Sequence, residues 1–556
     1  MLVGDNGIIT KAQEAKKDTE QAQQDELQGL SNLETAIEEA LGNVYDKEKE
    51  VNKPKLAQGM TPIKFTTPTD TEKGAVVETT SNDADWYEYG TEEDTKKWAN
   101  AITEDGSMWV WIPRFAYRVN SSTQTFDVVF LVGTTDQYYD DNGVLQTAKR
   151  CTSEDELVDT STGYTVHPAF TDETAINYRN GGWDKEITGI WVAKFEAGYA
   201  SGNNDAEVVA SSVNYTLTTA WVPDVESGET TTNNGASKPA RNWLDGEYGT
   251  TTTTIKYPVF QPITYTMNYI THNDAYNIAK ALTENGNIYG FTGAADSHLM
   301  KNSEWGAVAY LSKSKYGLGS TDITVNNISL NSGNDARSST AGKTGVESVY
   351  AVTGCTSNST SATTRTTTIE TINATTGNTA NGGVYTWNQK TGATASCTGS
   401  IYGIYDLSGG AWERTTGYVA NQNSNLSTYG RSIAYDENNL RTISTKYTTV
   451  YPHNSETDKP GITDISNDSI NLNIASNNNY ALNTLIYGDA IRETSTAGTG
   501  NTSWYREGSG FPGLNVPFTF RGGSYYNGSA AGLFYFSRGN GDSSSYDGFR
   551  ATVIIP

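Results

Sequence analysis

The sequence is poor in most of the residues from which active sites and covalent scaffolds are built. Three cysteines in 556 residues exclude a disulfide framework, and no CxxC pair is present to hold a metal or run redox chemistry. Cys151 stands alone, while Cys355 and Cys397 flank a Ser/Thr-rich stretch and are the one pair placed to close it as a bridge. The four histidines, His167, His272, His298 and His453, show no HxxH or HExxH spacing, so no metal ligand is assigned. Neither a strand-borne GxGxxG nor a GxxxxGK[ST] loop occurs, and there is no GxSxG elbow, which removes the usual nucleotide cradles and the serine-hydrolase turn. No apolar run approaches the roughly 20 residues of a membrane span. Charged residues are only 19% of the chain, and the balance of 39 Lys+Arg against 64 Asp+Glu gives a net charge of -25. Phosphates would be repelled by such a surface, so nucleic acid is excluded as a partner.

What is present is a β-leaning, aromatic chain. Hydrophobic residues make up a low 36%, and 34 tyrosines and 12 tryptophans carry much of that apolar content. The most informative stretch is the last, Phe518 to Pro556. It opens with Arg521-Gly522-Gly523 and closes with Gly548-Phe549-Arg550 and the apolar run Val553 to Ile555. Between these brackets lie mostly Ser, Tyr, Asn, Asp, Gly and Ala. Tyrosine offers large, rigid contact area at low entropy cost, and Ser, Asn and Gly offer adaptable hydrogen bonding, as in an antibody paratope. A Gly/Ser-rich surface loop has a similar composition. From Ser524 to Gly548 there is no Lys, Glu, Gln, Met or Trp. None of those five is reachable by mutating the adenines of an AAC or AAT codon, whereas Asn, Ser, Tyr, Asp, Gly, Ala, Leu, Phe and Arg all are. That absence fits a segment whose adenines have been scrambled.

The terminal RGGS…GFR frame, preceded by GIYDLSGGAWERT (Gly403 to Thr415), resembles the formylglycine-generating-enzyme branch of the C-type lectin fold. In that family a "GxYDMSGNVWEW"-like motif and a terminal "RGGSW…GFR" frame the core. The chain is most similar to the non-catalytic members that serve as variable proteins of diversity-generating retroelements. The resemblance implies that the residues between RGG and GFR form a hypervariable ligand-binding face. It also implies what an enzyme of the branch would need, a cysteine pair near the GFR that holds copper. No cysteine lies between Arg521 and Pro556, and Cys397 has no neighbouring thiol. A thiolate is what the chemistry requires, so that activity is not expected and no catalytic residue is assigned.

Taken in order, the chain begins with a stretch, Ile8 to Lys53, whose apolar residues recur at steps of three, four and seven, predicting one long amphipathic helix. The string Leu2 to Glu26 resembles the region that follows the membrane helix of bacterial type IV pilin-like proteins, which implies an anchor preceding the chain in hand. Pro54 to Asp94 reads as a polar linker. Buried strands are predicted at Met108–Tyr117, Phe126–Val132 and Gly189–Tyr199; WVWIPRFAY and GIWVAKFEAGY resemble early strands of the same family. A helix capped by Asn273 and stopped by Gly286 follows, and a second is predicted from Asp296 to Leu311. Thr/Ser/Asn-rich stretches at about 200–255, 317–393 and 420–484 read as insertions.

The expected architecture is therefore α+β: a pilin-like helix (1–53), a linker (54–94), and an enlarged C-type-lectin-like domain (95–556) with large β/loop insertions and a variable segment at 521–550. The residues expected to contact ligand are Ser524, Tyr525, Tyr526, Ser529, Tyr535, Ser537, Asn540, Ser544, Ser545, Tyr546 and Asp547. Period-2 alternation buries Phe534 and Phe536 and exposes Leu533, Tyr535 and Ser537. On that reading Tyr526, Tyr535 and Tyr546 can be removed together at little cost in stability. Arg521 and Arg550 are expected to be framework anchors, and Trp412 and Trp504 core. Asp406, Glu413 and Arg414 are open to two readings, a carboxylate contribution to a calcium site or an internal salt bridge and turn cap. No other cofactor is expected. The function implied is display at a cell surface, extracellular and membrane-anchored. The ligand would be a protein or glycan on a cell or phage surface, with pilus or membrane components met through the N-terminal helix. An invariant pilin-like adhesin is the alternative.

Overall fold

In the computed structural model the described residues are 16–17, 19, 53–150, 163–172, 182–199, 244–245, 254–255, 257–268, 270–331, 350–357, 370–373, 383–421, 423–435, 446–452, 479–481, 486–542, 544 and 546–556. The chain divides into two units, Met1–Glu50 and Val51–Pro556. Nearly all of the first, with the pilin-like string, lies outside the described residues, as do Cys151, His453 and most of the insertion at about 200–255.

The expected α+β class is corrected. Strand accounts for 32% and helix for 17%; among the described residues only two helices reach seven residues, and there is no long N-terminal helix. The cause is composition: aromatic and β-branched residues carry the apolar content, and they fit a pleated, half-buried surface better than a helix.

Two sheets organise the second unit. Along the chain their strands and the two longer helices are β1 (Thr61–Phe65), β2 (Val76–Glu78), β3 (Asn100–Ile102), β4 (Met108–Pro113), β5 (Gly189–Ala193), α1 (His272–Lys280), β6 (Asp296–Leu299) and α2 (Asn302–Ser312). They continue with β7 (Trp412–Ala420), β8 (Thr449–Pro452), β9 (Thr499–Gly500), β10 (Ser509–Gly510), β11 (Phe518–Gly522), β12 (Gly532–Gly539), β13 (Asp547–Phe549) and β14 (Ala551–Ile554). The first sheet runs β6-β14-β5-β4-β3-β1-β2 and the second β8-β7-β11-β12-β10-β9, with β13 on β7 as well. The last strand of the chain thus sits between two earlier ones, antiparallel to both.

The first sheet is anchored by aromatics. Trp111 and Trp191 stand directly opposite on β4 and β5, with ring centroids 5.3 Å apart, a contact that adds about 1 kcal/mol beyond simple burial. The stretch expected as a linker contributes β1 and β2 instead, with Ile63 and Phe65 buried. The predicted strand Met108–Tyr117 is interrupted: β4 ends at Pro113, and a separate strand, Phe115–Asn120, pairs with Thr125–Phe130.

Helix α1 begins two residues earlier than its sequence suggests. Thr271, not Asn273, is its cap, accepting the Asp274 N–H at 3.1 Å. The second predicted helix is shorter, because Asp296–Leu299 forms β6 against Ala551–Ile554 and the helix starts only at Asn302. Its first turn is closed by Glu304, which accepts from the Lys301 N–H at 2.9 Å and lies 2.8 Å from His298 Nε2. Every residue of α2 is buried, as expected of a helix enclosed on all sides. Cys355 and Cys397 are both free and buried, so no bridge closes the insertion between them.

Candidate functional site

The brackets of the terminal segment come first, because they decide what the residues between them are free to do. Arg550 lies between β13 and β14 with no exposed surface. Its guanidinium donates to both oxygens of Glu413 at 2.7 and 2.9 Å, to the Ala193 carbonyl at 2.6 Å and to the Tyr405 carbonyl at 2.7 Å. Glu413 on β7 is not alone: burial, Asp406 and Glu413 together hold the Glu196 carboxyl well above the usual range. Arg550 is the cation that makes this buried carboxylate group tolerable. Glu196 in turn accepts the Ala411 N–H at 2.9 Å and the Thr266 hydroxyl at 3.1 Å.

Asp406 adopts φ +63 and accepts from Asn326 Nδ2 and the Gly354 N–H, each at 2.8 Å. The turn that follows needs glycine: at Gly409 (φ +82) a Cβ would lie 2.2 Å from the Asn326 carbonyl, and at Gly410 (φ +71) 2.4 Å from Glu196. Of the two readings of Asp406 and Glu413, the internal one is what the structure shows, a turn anchor and an ion pair. Among the described residues no group of three or more His, Cys, Asp or Glu is arranged around a metal position.

Arg521, at the other bracket, is also fully buried. It donates to the Ala490 carbonyl at 3.0 Å and lies 5.5 Å over the Trp305 ring; burial lowers its pKa to about 10. Arg414 points the other way, to Asp547 at 2.8 Å and to the Asp542 carbonyl. Burial pushes the Asp547 carboxyl up to about 6, against the pull of Arg414.

Between the brackets the candidate residues separate into three groups. Ser524, Tyr525, Tyr535, Ser537 and Asp547 are buried; Asn540 and Ser544 are half-buried; Tyr526, Ser529 and Tyr546 are exposed. Ser545 lies outside the described residues. Tyr526 keeps 67% of its surface and Tyr546 41%, which makes them two of only five large apolar side chains exposed among the described residues. Their rings are 6.5 Å apart, and Tyr525 lies 5.9 Å behind Tyr546. Tyr525 itself packs against Ala351 and Ala411.

The expected alternation along β12 does not occur. Leu533 is as fully buried as Phe534 and Phe536, and Tyr535 is only 9% exposed. A register shift between Arg521 and Gly522 sets Phe536 opposite Arg521 but Gly532 opposite Gly522, so Leu533, Phe534 and Tyr535 bulge out of simple pairing. Helix α2 covers one side, through Trp305 Nε1 donating to the Leu533 carbonyl at 2.7 Å. The Trp504–Gly508 turn covers the other, with Trp504 and Tyr505 against Phe534 and Gly508 beneath the Tyr535 ring. Tyr535 is therefore packing, not a free anchor.

Two residues that sequence reasoning did not select belong to this surface. Trp412, expected in the core with Trp504, is only half-buried, whereas Trp504 is buried. The Trp412 indole N–H donates to Asn527 Oδ1, and its ring lies 5.8 Å from Tyr535 and 6.2 Å from Phe520. Asn527 Oδ1 also accepts the Ser524 N–H at 2.7 Å and its hydroxyl at 3.0 Å. No sequence signal separates Trp412 from a core tryptophan; Ser524 and Asn527 are turn-favouring types, and the structure closes Ser524–Asn527 as a turn, the Asn527 N–H donating to the Ser524 carbonyl at 2.9 Å. The result is an exposed tyrosine pair, Tyr526 and Tyr546, with the half-buried Trp412 tied to the same turn through Asn527, carried on a buried ionic frame. No protein-family model matches the chain, and no curated protein matches it.

Proposed function

We propose that this protein is a surface-displayed ligand-binding protein whose Ser524–Gly548 segment is diversified to vary what it binds. One observation carries the reading. The large side chains that the segment exposes are tyrosines, Tyr526 and Tyr546, and they stand among small polar residues on a rigid support. Tyrosine anchors surrounded by adaptable polar contacts are the usual carriers of interface energy. Such a loop tolerates replacement because its exposed side chains contribute little to the core.

The codon-level restriction of the segment and its RGGS…GFR frame, which resembles that of diversity-generating-retroelement variable proteins, support the same reading. The ligand is a protein or glycan at a cell or phage surface. The pilin-like string Leu2 to Glu26 supports display outside the cell, on a membrane anchor or pilus. The test is deep sequencing of the locus from one population, extended a few kilobases downstream. Expected are substitutions confined to adenines of codons 524–547, with a near-identical template repeat and a reverse transcriptase nearby. A uniform segment with no repeat leaves an adhesin of fixed specificity and removes the diversification.

A further inference from the structure

The surface contains one large aromatic side chain that the segment does not encode. Trp412 belongs to β7 and lies outside Ser524–Gly548, yet three separate parts of that segment meet it. The turn reaches it through Asn527 Oδ1, which accepts the indole N–H. Strand β12 reaches it through Tyr535, 5.8 Å from the ring. The returning loop reaches it through the Tyr546 carbonyl, which accepts the Trp412 backbone N–H at 2.7 Å, and β13 aligns Asp547 with it in parallel register. Trp412 therefore stands where the segment's turn, strand and return loop converge, and it is half-buried although its neighbour Glu413 is wholly enclosed.

We propose that Trp412 is a constant ligand-contacting residue of the face, held in orientation by Asn527. This rests on the ligand-binding reading above and adds a division of labour to it. Tryptophan is the residue most enriched at energetic hot spots, and hot spots lie near the centre of an interface, ringed by contacts worth less. Its indole packs against Phe520 and Tyr535, and its N–H is held by Asn527. Little rotamer entropy is then left to lose on binding. The exposed part of the ring offers the same apolar contact to every ligand, and the residues around it choose among ligands. The Tyr/Ser/Asn/Gly economy of the surround is that of a paratope for proteins, so the ligand class is a protein surface presenting an apolar side chain.

The experiment uses the full chain as the scaffold of a display library. Positions 526, 529, 540, 544, 545 and 546 are randomised, Asn527 is kept, and the library is selected against a purified lysozyme as probe. Several binders of unrelated segment sequence are then remade as Trp412→Ala, Trp412→Phe and, as a remote control, Leu145→Ala. Expected is a loss of affinity of at least tenfold for Trp412→Ala in most binders and no change for Leu145→Ala. Trp412→Phe keeps a ring against Tyr535 and Phe520, so its thermal midpoint should match the parent while affinity still falls severalfold. That split between binding and stability is what a purely structural tryptophan would not produce. Binders that keep their affinity within twofold in both Trp412 variants overturn the inference and leave the binding face standing. A library that yields no binder overturns both, and one that yields binders only to a glycan-coated surface overturns the assignment to protein ligands.

Discussion

Arg550 and Tyr526 belong to the same terminal stretch and meet opposite environments. Arg550 has no exposed surface and places its guanidinium on two carboxylate oxygens and two backbone carbonyls. Tyr526 keeps two thirds of its surface, and the partners shown for it are a neighbouring hydroxyl on its N–H and another exposed ring. The difference separates what may vary from what may not. A buried ion pair cannot lose one partner without stranding the other's charge, whereas an exposed ring on a turn can be exchanged without disturbing the core. The buried bracket residues and the exposed tyrosines are thus adjacent in sequence but differ in what their loss should cost.

Three experiments test that contrast, beginning with the largest effect. Arg550→Met should cost about 3–5 kcal/mol, because it leaves Glu413 buried without its cation. Urea unfolding of the purified variant would show the loss as a lower midpoint with an unchanged slope. A cost near zero would mean that the frame is not what holds the segment.

The second sharpens the boundary inside the segment itself. Tyr535→Ala should cost about 3 kcal/mol, since the ring is packed between Trp412 and Gly508 and its removal opens a cavity. The pair Tyr526→Ala and Tyr546→Ala should each stay within about 0.5 kcal/mol of the parent. Thermal melts of the three side by side would sort packing from face, and equal losses would erase the distinction.

A smaller effect than either the Arg550 or the Tyr535 loss concerns the ion pair between Asp547 and Arg414. Burial raises the Asp547 pKa from 3.8 to about 6, so the folded state holds this proton more tightly than the unfolded chain does. Its contribution is fully present below about pH 4 and is lost as pH rises through about 6. Asp547→Asn mimics the protonated side chain and should remove that dependence. Relative to the parent, the variant should therefore gain roughly 1–2 kcal/mol between pH 4 and pH 7. Parallel stability curves across this range would show that Arg414 offsets the burial completely.

Much of the scaffold was legible in the chain. The apolar runs that became β4 and β5 are short and rich in tryptophan and β-branched residues, which favours covered strands over helices. The helix at His272–Lys280 is visible from Ala275, Ile278 and Ala279 on one face, all buried. The glycine turn after Asp406 and the role of both bracket arginines were readable from motif and position. The strand Asp296–Leu299 was not, because DSHL has no local preference strong enough to declare it; its partner is the end of the chain. The same holds for β1 inside the polar stretch Pro54 to Asp94.

The candidate face was legible as a composition and only partly as a surface. The sequence alone determined that Ser524–Gly548 is built largely of tyrosine and small polar residues, that Arg521 and Arg550 bracket it, and that it offers no thiolate. Those are statements about residue types, and residue types need no coordinates. Tertiary structure alone decided that Leu533 and Tyr535 are packed, that Tyr526 and Tyr546 stand together outside, and that Trp412 is only half-buried and bonded to Asn527. The physical reason is that exposure belongs to neighbours distant in the chain. A register shift at Arg521, the helix carrying Trp305 and the turn carrying Gly508 close over one strand, and none of these can be read from the residues they cover.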